Sequence, residues 1–302
     1  MSIIKSIFDN NFYDNKKILI TGGTGTLGNV LTDYFLNNTK CSKVCIFSRD
    51  EFKQHNMKLK YKNNSRYDAL RFFIGDIRDN ERIKYACKNI DIVFHAAALK
   101  QVDAIEYNPM EAIKTNVLGT QNVIMACIEN NVDQLVGIST DKCVSPVNLY
   151  GATKLCLEKL VITAYEYSAF KLKTCVLRYG NVVGSRGSVV PVFKKQNQKG
   201  TFTVTDPRMT RFTLTIDEAA KFILNCVSIS KGGEIFVPKL PKYTLPQLCK
   251  VINPSNEIKI IGLRPGEKLH EEMISEAESL NVWESKYFYI VESSSHSKFK
   301  IN

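Results

Sequence analysis

Two short groups of residues have the side chains that proton and hydride chemistry requires. Tyr150 and Lys154 are four positions apart, so in a helix they share one face. An ammonium beside a phenol favours the phenolate, which lowers the pKa of a tyrosine and lets it take a proton from a hydroxyl group. The second group, Thr140-Asp141-Lys142, closely follows an apolar segment and ends eight residues before Tyr150. A Tyr-xxx-Lys pair alone is common on surface helices, but its place after such a segment favours a catalytic pair.

A glycine-rich turn near the N-terminus is typical of a dinucleotide-binding loop. The predicted strand at 17–20 runs directly into Thr21-Gly22-Gly23-Thr24-Gly25-Thr26-Leu27-Gly28, and a predicted helix follows. Glycines at these spacings allow a tight turn, a close approach to a pyrophosphate and close helix-strand packing. The alternative is a purely structural turn. The predicted cofactor contacts in this loop are Thr21, Gly22, Thr24, Gly25, Thr26, Leu27 and Gly28.

The end of the second predicted strand favours NADP over NAD. An NAD site typically has an acidic residue there to bind the ribose 2′-hydroxyl. Here Ser48 and Arg49 come first, 20 and 21 residues after Gly28, and Asp50 follows them. A hydroxyl and a guanidinium suit a 2′-phosphate. Further cofactor contacts are predicted after the third and fourth strands, at Asp76, Ile77, Ala96, Ala97, Ala98 and Lys100. For Asp76 and Ile77, a helix cap and a packing residue are equally good interpretations.

The elements that must position these residues alternate between short apolar runs and amphipathic stretches. Strands are predicted at 17–20, 43–47, 70–74, 91–94, 134–138 and 173–177, and helices near 26–38, 50–62, 79–88, 109–130 and 149–168. This alternation predicts an α/β fold with a Rossmann-type doubly wound parallel sheet, whose ligands bind at the carboxyl ends of the strands. We expect an NADP-binding domain at 11–178, with 212–238 returning to it. A smaller mixed α/β substrate-binding lobe is expected at 179–211 and 239–291, and a loose tail at 292–302.

Composition excludes several classes of protein. The net charge is +11, but the lysines are scattered and form no dense basic run, so nucleic acid is not expected as a partner. No apolar segment reaches the roughly 20 residues of a membrane span, and the N-terminus lacks the apolar stretch of a signal peptide. The nine cysteines include no CxxC pair and no Cys/His cluster with zinc spacing. We therefore expect a cytoplasmic protein without a metal site.

Longer motifs narrow the fold to a family. The segment STDKCVSPVNLYGATK has Asp-Lys where most nucleotide-sugar 4,6-dehydratases have Asp-Glu. It resembles the soluble, C5-inverting UDP-N-acetylglucosamine 4,6-dehydratases, in the extended short-chain dehydrogenase/reductase superfamily. The chain is similar to that family from Lys16 to Met273. One departure is Leu214, where the family has Trp. The other matching motifs are FSRDE, AAALKQV with EYNP, KTNVLGTQNVI, RYGNVVGSRGSVVPVF, MTRF, GEIFVPKLP and GLRPGEKLHEEM.

This resemblance implies a reaction and a role for each catalytic residue. Tyr150, aided by Lys154 and Thr140, would deprotonate the C4 hydroxyl while hydride passes from C4 to NADP. Lys142 would be the base at C5 and Asp141 the acid at C6, before hydride returns to C6. That assignment requires a neutral Lys142 and a protonated Asp141 in one dry site, which neighbouring opposite charges oppose. Inversion at C5 would give UDP-2-acetamido-2,6-dideoxy-β-L-arabino-hex-4-ulose.

The resemblance also implies ligand contacts and an assembly. Asn116 would join the cofactor contacts. Substrate contacts to a UDP-N-acetylhexosamine would come from Lys100, Asn181, Arg186, Arg211, Arg264 and Glu267. Homo-oligomers, dimers at least, would form through the helices near 109–130 and 149–168. Two alternatives stay open: a UDP-sugar 4-epimerase or reductase, which leaves Asp141 and Lys142 without a role, and a non-catalytic NADP-binding sensor or scaffold.

Overall fold

The computed structural model describes residues 10–183 and 189–292. Fourteen strands lie within these ranges: β1 (Lys17–Thr21), β2 (Lys43–Ser48), β3 (Leu70–Ile74), β4 (Ile92–His95), β5 (Gln134–Ile138), β6 (Lys173–Leu177), β7 (Asn181–Val182), β8 (Thr201–Val204), β9 (Thr210–Leu214), β10 (Glu234–Pro238), β11 (Lys242–Thr244), β12 (Glu257–Ile260), β13 (Val282–Glu284) and β14 (Phe288–Glu292).

The same ranges contain eleven α-helices: α1 (Thr26–Asn38), α2 (Glu51–Tyr61), α3 (Asn80–Ala86), α4 (Val102–Tyr107), α5 (Pro109–Ala112), α6 (Gly119–Glu129), α7 (Leu149–Tyr167), α8 (Val189–Asn197), α9 (Ile216–Ile229), α10 (Leu245–Ile252) and α11 (Glu276–Ser279). A π-helical segment, Ile113–Leu118, joins α5 to α6. The helix predicted near 109–130 is therefore interrupted. None of the described helices is both long and apolar enough to cross a membrane.

The large sheet confirms the predicted fold class. In the described part of the chain its strand order is β13-β14-β10-β6-β5-β4-β1-β2-β3. Every pair from β10 to β3 is parallel. The chain winds outward from β1 through β2 to β3, then returns to place β4 on the other side of β1. Ligands of such sheets bind outside the carboxyl ends of the strands at this switch point.

Buried apolar side chains cover both faces of this sheet. One cluster includes Phe35 on α1 and Phe94 on β4, and the other includes Val123 on α6 and Leu157 on α7. Because both faces are covered by helices, the central strands are apolar runs, and all five residues of β5 are buried. This explains why the strands at 134–138 and 173–177 have the bounds that the sequence predicted. The bounds of the edge strand at 70–74 were also predicted, although only Leu70 in it is buried.

The second lobe consists of smaller elements beside the carboxyl ends of the parallel strands. Strands β11, β9 and β7 form one small sheet, and β12 and β8 form another. A separate apolar cluster that includes Phe193, Phe202 and Leu245 holds α8, β8 and α10 together.

Two segments lie in a different part of the fold from the one that the predicted domain bounds assign to them. Strands β13 and β14 lie within the stretch 239–291 that was expected to belong to the lobe, apart from the last residue of β14. They pair antiparallel onto the edge of the large sheet, through β14 beside β10. Residues 212–214 were expected to belong to the Rossmann domain, but they form part of β9 in the lobe. Strand β14 lies between β10 and the outermost strand β13. Only Val291 of its five residues is buried, although its sequence FYIVE is as apolar as that of β5.

Arg178 joins the two parts of the chain beneath the site. It is fully buried, and its Nη2 lies 2.6 Å from Glu158 Oε2 and 2.7 Å from Glu278 Oε1. Glu158 also accepts a hydrogen bond from Cys143, directly after Lys142. Arg178 and Glu158 therefore link α7, α11 and the turn at Asp141–Cys143.

Candidate active site

The glycine loop has the close contacts that a phosphate-binding turn needs. Gly22 has a φ of +66°, and a Cβ there would lie 2.8 Å from the backbone nitrogen of Ala97. A Cβ on Gly28 would lie 2.3 Å from the carbonyl oxygen of Gly23. Only glycine fits at these positions. Helix α1 begins after Gly25 without a side-chain cap, so its first N–H groups face the loop.

Thr21 supports this loop and does not face the cavity. Its hydroxyl lies 2.8 Å from Nδ1 of His95 and accepts a hydrogen bond from the backbone N–H of Ala97. The other ring nitrogen of His95 lies 3.0 Å from the Thr120 hydroxyl. Burial lowers the pKa of His95 to about 3, so this histidine is neutral. The hydroxyl of Thr21 is thus engaged between β1 and β4, and the contact of Thr21 with the cofactor stays a prediction.

Asn116 is likewise a supporting residue. It is fully buried on the π-helical segment. Its side chain accepts a hydrogen bond from the N–H of Leu99 at 2.8 Å and donates to the carbonyl of Leu99 at 2.9 Å and to Thr153. It therefore fixes the loop after β4. Both polar atoms of its side chain contact protein groups, and its contact with the cofactor stays a prediction.

The end of β2 presents two cations beside Ser48. Arg49 is half exposed, with its Nη1 3.4 Å from Asp76 Oδ2. Asp50, which could have bound a ribose hydroxyl, instead caps α2 by accepting a hydrogen bond from the N–H of Lys53. The same carboxylate pairs with the Lys53 ammonium at 2.5 Å. Sequence analysis missed Lys53, although its spacing from Asp50 within α2 predicts that the two side chains meet.

One cavity of about 830 Å³ joins the loop, the carboxyl ends of the strands and the second lobe. Most predicted site residues border it: Gly22, Thr24, Gly25, Thr26, Leu27, Gly28, Ser48, Arg49, Asp76, Ile77, Ala96, Ala97, Ala98, Lys100, Thr140, Lys142, Tyr150, Lys154, Asn181, Arg211, Arg264 and Glu267. Thr21, Asn116 and Asp141 do not border it. Arg186 lies outside the described residues. Lys53 and Glu271 border it without having been predicted.

The turn after β5 buries Asp141 behind Lys142. Thr140 caps this turn, and its hydroxyl donates to Asp141 Oδ1 at 3.0 Å. Asp141 is completely buried, and its Oδ2 has no hydrogen-bond partner among the described residues. The predicted C6 acid is therefore adjacent to the cavity but separated from it by the neighbouring lysine.

Lys142 lies between two carboxylates. Its Nζ is 3.0 Å from Asp141 Oδ1, 3.4 Å from Glu271 Oε1 and 3.2 Å from Asn181 Oδ1. Burial alone would lower the pKa of Lys142, but the Asp141 and Glu271 carboxylates outweigh it and raise that pKa. The neutral Lys142 that the sequence analysis required is thus not the resting form.

Tyr150 and Lys154 lie on the first turns of α7, and both border the cavity. Burial raises the pKa of Tyr150 to about 12, while the Lys142 ammonium and a hydrogen bond with Thr140 act in the opposite direction. Burial lowers the pKa of Lys154 to about 8, and its ammonium donates to the carbonyl of Ile138. Lys142 is the cation that lowers the pKa of Tyr150 most in this structure, and the predicted effect of Lys154 on Tyr150 stays a prediction.

The second lobe closes over this turn through the segment 264–272. Asn148, which caps α7, donates to the carbonyl of Gly266 at 2.8 Å, and Lys268 donates to the carbonyl of Val144. Gly266 has a φ of +78°, which allows the chain to turn at this contact. The contacts bring Arg264, Glu267 and Glu271 to the cavity wall.

A family comparison matches this arrangement of loop, turn and second lobe. The model of the polysaccharide biosynthesis protein family matches residues 18–293. The chain belongs to this family. The matched range includes the Rossmann-type part, the second lobe and every residue that lines the cavity.

Individual family members are similar over almost the whole chain. A protein of Campylobacter jejuni subsp. jejuni serotype O:23/36 (strain 81-176), named UDP-N-acetylglucosamine 4,6-dehydratase (inverting), is 47% identical over 96% of this chain and 88% of its own. A protein of Rickettsia rickettsii, named UDP-glucose 4-epimerase, is 42% identical over 91% of this chain and 82% of its own. The X-ray structure of Pen from Bacillus thuringiensis is 40% identical, with a TM-score of 0.88 over 94% of this chain and 90% of that one.

Proposed function

We propose that this protein is a UDP-N-acetylglucosamine 4,6-dehydratase that uses NADP and inverts C5. The observation that carries the proposal is the position of Lys142, which lies between Asp141 and Glu271 and borders the same cavity as Tyr150. Exchange of hydride at C4 needs only a Tyr-Lys pair and a cofactor. Elimination of water across C5 and C6 also needs a base and an acid, and this cluster contains both kinds of group.

The proposed reaction needs proton transfers at C4, C5 and C6 of the sugar, and different residues carry them out. Tyr150 takes the proton of the C4 hydroxyl, with Thr140 in hydrogen-bond contact and the Lys142 ammonium favouring the phenolate. NADP, when bound, accepts hydride from C4 and supplies it to C6. A ketone at C4 makes the C5 hydrogen acidic. Lys142 passes its own proton to Asp141 and then removes the proton of C5. When hydride has been added at C6, Lys142 returns a proton to the opposite face of C5, which inverts that carbon. Asp141 is the source of the proton for the departing C6 hydroxyl, and it reaches the cavity through its contact with Lys142.

The cofactor site fits a dinucleotide with a phosphorylated ribose. Gly22 and Gly28 leave room where a Cβ would collide with the backbone, which suits a pyrophosphate close to the chain. Arg49 and Lys53 border the cavity at the end of β2, and Asp50 is occupied by the α2 cap and by Lys53. These two cations support NADP rather than NAD. The residues that would hold the 2′-phosphate are Ser48, Arg49 and Lys53.

The second lobe supplies the groups for a UDP-linked sugar. Arg211 and Arg264 border the cavity and suit a diphosphate through their fork geometry. Asn181 lies at the sugar end, because its Oδ1 accepts a hydrogen bond from Lys142. Glu267 suits ribose hydroxyls. The N-acetylglucosamine itself is proposed from the name of the relative that is 47% identical.

We also infer a homo-oligomer that works in the cytoplasm. The segment from α4 to α6 exposes several large apolar side chains that a partner chain could cover: Tyr107, Met110, Leu118 and Met125. Sedimentation of the purified protein tests this inference, which predicts at least a dimer, and a monomer at micromolar concentration would contradict it.

The proposed activity is tested by incubating the protein with UDP-N-acetylglucosamine in D₂O and identifying the product by NMR. We expect a 4-keto-6-deoxy sugar with deuterium at C5 and the L-arabino configuration, without net formation of NADPH. Recovery of a C4 epimer alone would contradict the proposal and favour the epimerase. Unchanged substrate, under conditions in which NADP binds, would favour a sensor or scaffold.

A further inference from the structure

Glu271 brings a carboxylate from the second lobe to the catalytic lysine. It lies in the segment 264–272, directly after His270, whose Nδ1 is 2.9 Å from the Thr210 hydroxyl on β9. Glu271 Oε1 is 3.4 Å from Lys142 Nζ, and only 4% of the Glu271 side chain is exposed. Glu271 borders the cavity, whereas Asp141 does not. It is therefore the carboxylate that meets Lys142 from the side of the second lobe.

Asp141 and Glu271, the two carboxylates next to Lys142, each have one oxygen without a hydrogen-bond partner among the described residues. Oδ2 of Asp141 and Oε2 of Glu271 are both buried and have no hydrogen-bond partner among the described residues. A buried carboxylate oxygen without a partner is costly, so a fold that keeps two of them beside one ammonium gains something other than stability.

The charge balance around Lys142 depends on Glu271. Asp141 comes from the same turn, Tyr150 from α7, and Glu271 from the second lobe. Tyr243 on β11 also faces this group, and Arg211 on the neighbouring strand β9 faces Tyr243. Burial favours a neutral Lys142, and the two carboxylates overcome it. With Glu271 neutralised, Asp141 and a smaller contribution from Tyr150 would remain to oppose the effect of burial on the pKa of Lys142.

We propose that Glu271 is a positioning residue that holds Lys142 in its charged form and thereby controls when Lys142 can accept the C5 proton. This role rests on the proposed dehydratase function. The proton from C5 goes to Lys142 Nζ, so the amine must first release a proton to the group that it forms with Asp141 and Glu271. Glu271 makes that release depend on the contact between the second lobe and the turn, because the segment 264–272 holds its carboxylate there.

The first test measures the charge of Lys142 without any turnover. An unprotonated amine reacts with acetic anhydride and an ammonium does not, so trace acetylation of Lys142, read by mass spectrometry of its peptide, reports the neutral fraction. We expect Glu271→Gln to increase labelling of Lys142 roughly tenfold for each unit by which its pKa falls. Glu272→Gln is the matched control, because Glu272 is exposed and accepts a hydrogen bond only from Ser145 among the described residues. Glu271→Asp keeps the charge and should stay near the wild-type level.

Equal labelling in the wild type and Glu271→Gln would overturn the proposal, and so would the same increase in Glu272→Gln. The exposed lysines of the same sample serve as internal standards for the reagent. A general loss of structure is recognised by a rise in labelling at Lys154, which is only 4% exposed in the folded protein. If Glu271→Gln does not fold, the labelling of Lys142 in Glu271→Asp is compared with that in the wild type. A tenfold rise in that charge-preserving variant would overturn the role of the charge.

The second test links the charge to the reaction. The rate of deuterium incorporation at C5 is followed against pH, and the rising limb should move to lower pH in Glu271→Gln, with NADP affinity unchanged. A merely structural role would reduce the rate at every pH without moving the limb, which would overturn the inference. A wild-type protein that forms no 4-keto product contradicts the proposed function instead. The acetylation experiment then still tests whether Glu271 keeps Lys142 charged.

Discussion

Gly151 on α7 lies directly against the carbonyl of Lys142. A Cβ built on Gly151 would be 2.1 Å from the Lys142 carbonyl oxygen and 3.0 Å from Cβ of Pro146. Asn148 caps α7 by accepting a hydrogen bond from the N–H of Gly151 at 2.8 Å. The helix that carries Tyr150 and the turn that carries Lys142 therefore meet at a position where there is no room for a side chain.

The first prediction concerns this contact. Gly151→Ala must push the turn away from α7, so we expect a loss of about 1–3 kcal/mol in the free energy of unfolding, as for other overpacked sites. Dehydration activity should fall more than the affinity for NADP, because the turn carries Lys142 while the glycine loop is distant in sequence. Urea unfolding and product NMR measure the two effects. Cys156→Ala, at an exposed position of the same helix, is the control and should change neither.

Much of the proposed cofactor site could be predicted from sequence because the patterns that indicate it are local. The glycine loop, the ends of β2 and β5 and the pair Tyr150 and Lys154 each lie within a few residues of a strand end. Parallel strands bring their carboxyl ends to one edge, so a correct strand assignment also predicts which side chains share the cavity. The same logic could not show which polar atoms are already engaged. Thr21 and Asn116 were assigned to the cofactor, but they hold the backbone at Ala97 and Leu99.

The part of the site that sequence analysis missed depends on long-range packing. Glu271 and Lys142 are far apart in the chain, and they meet only because Asn148, Gly266 and Lys268 fix the segment 264–272 against the turn. The one available signal was the glutamate pair Glu271-Glu272 in GLRPGEKLHEEM, which has no local pattern of its own. The burial of Asp141 could not be predicted from the sequence either, because a residue at the end of a strand can point into a cavity or away from it.

The second prediction tests the choice of cofactor. Arg49→Ala and Lys53→Ala should each weaken NADP binding roughly 10- to 100-fold, since a hydrogen bond to a charged group contributes about 1.5–3 kcal/mol. NAD lacks the 2′-phosphate, so its binding should change little. Calorimetric titration with both cofactors gives the comparison. Lys62→Ala, exposed at the end of the same helix, is the control. Equal losses for NADP and NAD would remove these cations from the proposed 2′-phosphate site.

The third prediction is a dependence of stability on pH through Lys154. In the unfolded chain a lysine keeps its proton up to about pH 10, whereas burial lowers the pKa of Lys154 in the folded protein to about 8. Between these values the unfolded state binds more protons, so the folded state gains stability as pH rises, by at most about 1.4 kcal/mol per pH unit. Below about pH 8 this gain is absent.

Comparison with Lys154→Met isolates this effect from the other titrating groups. The free energy of unfolding of both proteins is measured by urea denaturation near pH 7 and near pH 9.5. We expect the difference to move in favour of the wild type by roughly 1–2 kcal/mol over this range. A difference that stays constant or moves the other way would show that Lys154 keeps its proton in the folded protein.

The fate of the hydrogen at C4 tests the central claim most directly. UDP-N-acetylglucosamine labelled with deuterium at C4 is incubated with the enzyme and NADP in ordinary water, and the product is examined by NMR. The account predicts that the deuterium appears at C6 of a 4-keto-6-deoxy sugar, because hydride taken from C4 is returned to C6 within one turnover. Deuterium that returns to C4 in an epimer, or that accumulates in free NADPH, would contradict it.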